Sequence, residues 1–516
     1  MGRMHEVVIG AGPLSIDDVV AVARAGIAIA LDPAALADVA VSRAIIDGLA
    51  SDPNPHYGIS TGFGALATTF IERERRAQLQ VSLVRSHAAG VGDEVEREVV
   101  RSLMVLRLST LMTGRTGIRP IVCETYAAVL NANITPIVKT FGSLGCSGDL
   151  APLAHCALAL LGEGDVRDAS GTKMTAAEAL KTAGITPVEL QEKEGLALIN
   201  GTDGMLGQLC LSIADLRELL TTTDIAAAMS VEGLMGTDKV FAADLQRLRP
   251  QVGQAISASN MALILADSPI VHSHAGPEDG RVQDAYSLRC APQVAGGARD
   301  TLAHAERVAE AELASAVDNP VLTLDGRVES NGNFHGAPVA YVLDFLAIVA
   351  ADVASMSERR TDRFLDKSRN QGLPPFLAHE AGVDSGLMIA QYTAAGLVSE
   401  MKRLASPASV DSIPSSAMQE DHVSMGWHAA RKLRASVDAL ARVLAIELVT
   451  AARGLDLRAP LTPSRTSRAV IELLRDAGVS GPGPDRFLSP ELEAAATLVA
   501  SGAVSARARE MTPSLA

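Results

Sequence analysis

The order of apolar and polar residues gives the chain two textures. Up to about residue 200 the apolar segments are short and separated by glycine-rich turns, with stretches such as Ile16–Ala25 and Arg97–Leu111 that predict helices. From Gly201 onward the segments lengthen. Leu206, Leu209, Cys210, Ile213, Leu216, Leu219 and Leu220 recur at three- and four-residue intervals, and Leu433, Val437, Leu440, Val443, Leu444 and Leu448 nearly repeat the pattern. That spacing lines one face of a helix with apolar side chains, and long runs with few breakers predict helices packed in a bundle. Pro460–Ser467 and then Gly478–Pro484 interrupt the pattern and leave a small helical piece at the end. The expected fold is mainly α, a long central helical bundle with a mixed N-terminal domain. The expected division is 1–200, 201–459 and 460–516.

Composition narrows the function. The chain has 516 residues, 48% hydrophobic and only 3% aromatic, with 45 basic against 60 acidic side chains and a net charge of −15. Nucleic acids and anionic membrane surfaces need clustered Lys and Arg, so neither is an expected partner. The most apolar stretches, Pro338–Ala354 and Val437–Ala452, carry Asp344 and Asp352, and Asp438, Arg442 and Glu447. Charges so placed fit the wet face of a core helix better than lipid. No apolar run followed by a small-residue cleavage site opens the chain, so no secretory signal is expected. Five widely spaced cysteines without a C-x-x-C pair point to a reducing, cytoplasmic compartment. His272 with His274, and His422 with His428, lack partners at a metal-binding spacing, so no metal site is expected.

The densest chemistry lies in Gly142-Ser-Leu-Gly-Cys-Ser-Gly-Asp149, a tight turn feeding an apolar helix, with Asp149 as the expected N-cap and Pro152 in the first turn. One reading is purely structural. The other is covalent: the amide nitrogen of Gly148, free of Cβ bulk, presses against the carbonyl carbon of Cys146 and closes a ring with loss of water. Loss of the Ser147 hydroxyl as a second water leaves an exocyclic methylidene, an electrophile that the positive end of the following helix makes more electron-poor.

The segment from Gly142 to His155 closely resembles the self-processing loop of the aromatic amino-acid ammonia-lyases. The resemblance runs from about Leu14 to about Arg458. It is carried in order by Tyr57-Gly-Ile-Ser-Thr-Gly-Phe-Gly64, Ser86-His-Ala-Ala-Gly90, the loop itself, Asn200-Gly-Thr202, Gln283-Asp-Ala-Tyr-Ser-Leu-Arg289, Asn331-Gly-Asn-Phe-His335 and Gln419-Glu-Asp-His-Val-Ser424. Two positions depart from the family: Cys146 replaces the usual alanine, and Ala285 stands where proline is more usual.

The resemblance implies a 4-methylidene-imidazol-5-one built from Cys146, Ser147 and Gly148, no external cofactor, and a homotetramer whose sites draw on several subunits. The processed Ser147 would receive the substrate amine, or in another version its ring, while Tyr57 removes the β-proton; a phenol with an ordinary pKa of about 10 must be lowered for that. Tyr286 would be a second hydroxyl near the electrophile. Arg289 would bind the substrate carboxylate through its planar fork, with Asn200 and Gln283 supplying amide hydrogen bonds and Phe334 a wall. His87 and Glu420 set the substrate. Phenylalanine-specific members carry apolar side chains at the Ser86–His87 pair and an amide at the Glu420 position. The polar set here favours L-histidine, giving trans-urocanate and ammonia. Tyrosine or phenylalanine lyase, aminomutase, and a non-catalytic helical assembly are the alternatives.

Overall fold

The computed structural model describes residues 6–276 and 282–516. The chain is 59% helical. It folds as two compact units, each assembled from interleaved segments. The first takes residues up to Ala214, Glu306–Leu343 and Pro407–Arg431; the second takes Asp215–Ala305, Asp344–Ser406 and Lys432–Ala516. The grouping therefore does not follow the sequential division 1–200, 201–459 and 460–516. Packed helices join residues far apart in the chain, as Arg360 with Glu447 in the second unit.

In the first unit short strands flank buried helices. Val7–Ile9 pairs in parallel with Ile29–Leu31, Val91–Glu94 runs antiparallel to Lys139–Phe141, and Asp165–Arg167 lies between Thr135–Pro136 and Lys173–Thr175. The helix predicted over Ile16–Ala25 starts at Ile16 under a Ser15–Asp18 capping box but widens to π geometry over Ala21–Ala25, ending at a left-handed Gly26. Arg97–Leu111 is helical as expected and is buried on nearly every side. A helix buried so completely belongs in the interior, and its two deepest arginines are hydrogen-bonded to carbonyls, with the Asp203 carboxylate 3.4 Å from Arg107. Arg101 donates to Val22 O and Leu130 O, and Arg107 to Asn200 O and Val317 O.

The second unit contains the helices Val252–Leu265, Met388–Leu404, Arg465–Asp476, Ser489–Ala500 and Ala503–Met511. The periodic stretches at Leu206 and Leu433 lie on the long helices Asp203–Gly233 and Gly426–Asp456. One described helix, Ala337–Leu365, is long and apolar enough to cross a membrane by length and composition. However, 61% of its most apolar window is buried within the protein, and its Asp344 pairs with Lys432 at 2.7 Å.

Candidate active site

The glycine loop of the first unit is wound tightly. Gly145 and Gly148 bridge each other across Cys146 and Ser147, and Ser147 and Gly148 take φ of 50° and 82°. Gly148 also lies against the backbone of Gly201: a Cβ at position 148 would sit 1.9 Å from the Gly201 carbonyl oxygen. Only glycine fits there, for both space and dihedral. The loop is pinned on either side. Ser143 donates to Asp149 and accepts from the Gly145 N–H, the Met425 N–H donates to Leu144 O, and the Asp149 N–H donates to Gly201 O at 2.7 Å. A three-residue segment held in this strained turn, with glycine at its last position, fits the residues a ring closure needs.

Asp149 stands at the expected N-cap position, but its side chain is engaged elsewhere. Its carboxylate does not cap the helix it precedes, Leu150–Leu160. It accepts instead from Ser143 and, at 2.8 Å, from the Met205 N–H, an orphan donor in the first turn of Asp203–Gly233. Burial pushes its pKa up to about 7, against the pull of these donors.

Beside the loop is a cavity of about 610 Å³ whose lining includes Tyr57, His87, Ser147, Asn200 and Glu420, from motifs scattered over the sequence. His87 ends the helix Arg76–His87, and its Nδ1 donates to the Leu83 carbonyl at 2.9 Å, which leaves Nε2 as an acceptor. Burial lowers its pKa, so the ring is neutral at pH 7. Asn200 is buried at the end of the helix Glu194–Ile199. Its Nδ2 donates to Asn319 O and its carbonyl accepts from Arg107, while its Oδ1 has no partner. The Tyr57 hydroxyl accepts from the Gly64 N–H at 3.3 Å. Its pKa is raised, chiefly by burial and further by Glu420 and Asp318, so the expected lowering is absent from these surroundings.

Glu420 follows a turn that sequence reasoning missed. Ser416, Ala417 and Met418 have φ of 50°, 52° and 68°, consecutive left-handed residues that cost about 1–2 kcal/mol each. Nothing in their residue types announces it. The turn is closed by backbone bonds between Ser415 and Glu420, and it brings Glu420 Oε1 to 3.4 Å from the Ser147 hydroxyl.

The remaining expected residues do not line this cavity. Phe334 is half-buried in the loop before Ala337–Leu365. Gln283, Tyr286 and Arg289 belong to the second unit, where Gln283 is exposed and Tyr286 is 69% exposed. Tyr286–Arg289 forms one helical turn, as the spacing suggested, but the Arg289 guanidinium stacks on the Tyr286 ring at 4.7 Å and donates to Asp284 O.

Comparison with known proteins extends over nearly the whole chain. Residues 14–476 match the family model described as aromatic amino acid lyase. A histidine ammonia-lyase from Streptomyces avermitilis is 63% identical over 513 residues, covering 99% of this chain and 100% of the relative. Among solved structures, tyrosine aminomutase from Streptomyces globisporus superposes with a TM-score of 0.92 at 35% identity, covering 98% of this chain and 99% of the other. Histidine ammonia-lyase from Trypanosoma cruzi does so with a TM-score of 0.90 at 36% identity, covering 98% and 95%. With its strained glycine loop opening on a polar cavity, the chain belongs to the aromatic amino acid lyase family.

Proposed function

We propose that the protein is an ammonia-lyase converting L-histidine to trans-urocanate and ammonia. The observation that carries this reading is the presence of two acceptors, His87 Nε2 and the Glu420 carboxylate, in the cavity that Ser147 lines. An imidazole N–H meets a partner there. A phenyl ring would leave both acceptors desolvated and unpaired, a penalty that discriminates strongly against it. The Streptomyces avermitilis relative bears the corresponding name.

Cys146, Ser147 and Gly148 would form the 4-methylidene-imidazol-5-one, which supplies an electrophilic carbon for the substrate amine or ring. The chain's own residues do the rest. Asn200 Oδ1, buried and unpartnered, accepts from the substrate ammonium. Tyr57 takes the β-proton; because burial raises its pKa, it needs a cation nearby to act as a base. Arg289 binds the carboxylate, with Gln283 and Tyr286 beside it. Their exposure suits delivery to the cavity of a neighbouring copy, within a homotetramer, and Phe334 would complete the wall there. The five free cysteines and the net charge of −15 fit a cytoplasmic enzyme without nucleic-acid or membrane partners.

Purified protein incubated separately with histidine, tyrosine and phenylalanine tests the reading. Urocanate should form fastest, and faster turnover of either other amino acid, or formation of a β-amino acid, overturns the substrate assignment. Intact mass should fall short of the sequence by two waters, and a full unprocessed mass in active protein overturns the prosthetic group. A sedimentation profile of an active monomer overturns the tetramer.

A further inference from the structure

The usual alanine of the self-processing tripeptide is Cys146 in this chain, and its side chain meets groups that the mechanism above does not use. Its Sγ lies 3.8 Å from the Ser415 hydroxyl and close to the Glu420 carboxylate. Burial and the nearness of Glu420 push the thiol up to about 12, so it is a neutral S–H donor, not a nucleophile waiting in the cavity. Ser415 stands between the two. Its hydroxyl is 3.0 Å from Glu420 Oε2, and its one proton serves the charged carboxylate in preference to sulfur.

The two oxygens of Glu420 are thus treated differently. Oε2 is held from behind by Ser415, inside the turn that the Ser415–Glu420 backbone bridge closes. Oε1 meets the Ser147 hydroxyl, at 3.4 Å. If Ser147 loses that hydroxyl on maturation, Oε1 loses this contact and faces the cavity, while Oε2 keeps its donor. The geometry points to Ser415 and Cys146 as positioning residues that lock the Glu420 carboxylate with one oxygen aimed at the substrate ring. Ser415 is the main donor and the thiol supports it. This rests on the histidine reading above and extends it to how this chain holds its ring-recognising acid.

A structural role alone would change yield or stability. Positioning predicts a defect confined to ring recognition. The test compares Ser415→Ala, Ser415→Thr and Cys146→Ala with the native tetramer, after intact mass has shown that each has lost two waters. For Ser415→Ala the KM for histidine should rise about tenfold with kcat little changed, as expected for loss of a charge-assisted hydrogen bond. The inhibition constant of phenylalanine, which shares the amine and carboxylate but lacks the imidazole, should stay put. Ser415→Thr should restore the native KM, and Cys146→Ala should raise it by about threefold, the weaker donor's share. A native KM in Ser415→Ala, an equal loss for phenylalanine binding, failure of threonine to rescue, or failure to mature overturns the proposal. If Ser415→Ala does not fold, Cys146→Ala decides, and a native KM there overturns it. Native enzyme that does not deaminate histidine at all refutes the earlier reading instead, since here only ratios of variant to native count.

Discussion

Two buried polar groups, one in each unit, are satisfied in opposite ways. In the second, Arg360 and Glu447 are 1% and 0% exposed and bind through two parallel contacts of 2.5 and 2.8 Å, while Ser230 donates to Glu447 and Arg360 to the Ser287 carbonyl. Each nitrogen and oxygen of the two charged groups has a partner within the protein. In the first unit Asn200 is equally buried, yet its Oδ1 stays open where the residue lines a cavity. An unpartnered buried acceptor costs about 1–3 kcal/mol, and the left-handed residues at Ser147 and Ser416–Met418 add strain of similar size. Closed polarity is scaffold. Open polarity held by a strained frame is a site.

The contrast breaks most visibly at the loop. Ser147→Ala should leave the thermal midpoint within a few degrees of native but cut histidine turnover by at least about a thousandfold, since the covalent electrophile is lost. Intact mass should equal that of the variant's own sequence, with no water lost. Gly148→Ala should likewise keep its full unprocessed mass, for a different reason: its methyl group meets Gly201 O. Native turnover in Ser147→Ala would make the loop mere scaffold.

The scaffold side of the contrast predicts the next largest effect. Glu447→Ala leaves Arg360 charged in the interior and should cost about 3–5 kcal/mol of stability, measured by urea denaturation. Arg360→Met with Glu447→Leu should recover most of that, because the pair is needed for its mutual satisfaction and not for chemistry. A loss below about 1 kcal/mol in the single variant would mean that water reaches the pair. Asn200→Ala should instead spare stability relative to Glu447→Ala and lower kcat/KM by about tenfold, since the open oxygen is lost with its ligand contact.

What the sequence revealed follows the same line. The helices Arg97–Leu111, Asp203–Gly233 and Gly426–Asp456 were legible because burial imposes a period on apolar residues. Tyr57, His87, Ser147, Asn200 and Glu420 were legible only through short motifs, and the fold brings all five to one cavity. Asp149 stands at the N-cap position as read, but its carboxylate serves a different helix through space, which its place in the sequence does not show. The bridge from Cys146 through Ser415 to Glu420 spans some 270 positions, and the left-handed turn beside it contains no glycine to betray it. Interactions set by three-dimensional approach leave no periodicity to read.

The smallest effect tests whether the cavity shields its histidine from water. Burial lowers the His87 pKa below its ordinary 6.5, outweighing the opposing pull of the Leu83 carbonyl and Glu420. Between the folded value and 6.5 the unfolded chain therefore binds more protons at this residue than the native protein does, so stability rises with pH across that window. The contribution is complete above 6.5 and is lost as pH falls through the folded value. His87→Gln removes the titration while keeping a polar side chain. In urea denaturation from about pH 7.5 to about pH 5, the native protein should lose stability relative to the variant. If the two curves stay parallel, the ring titrates as it would in water, and His87 cannot be the desolvated acceptor that separates this cavity from one built for a phenyl ring.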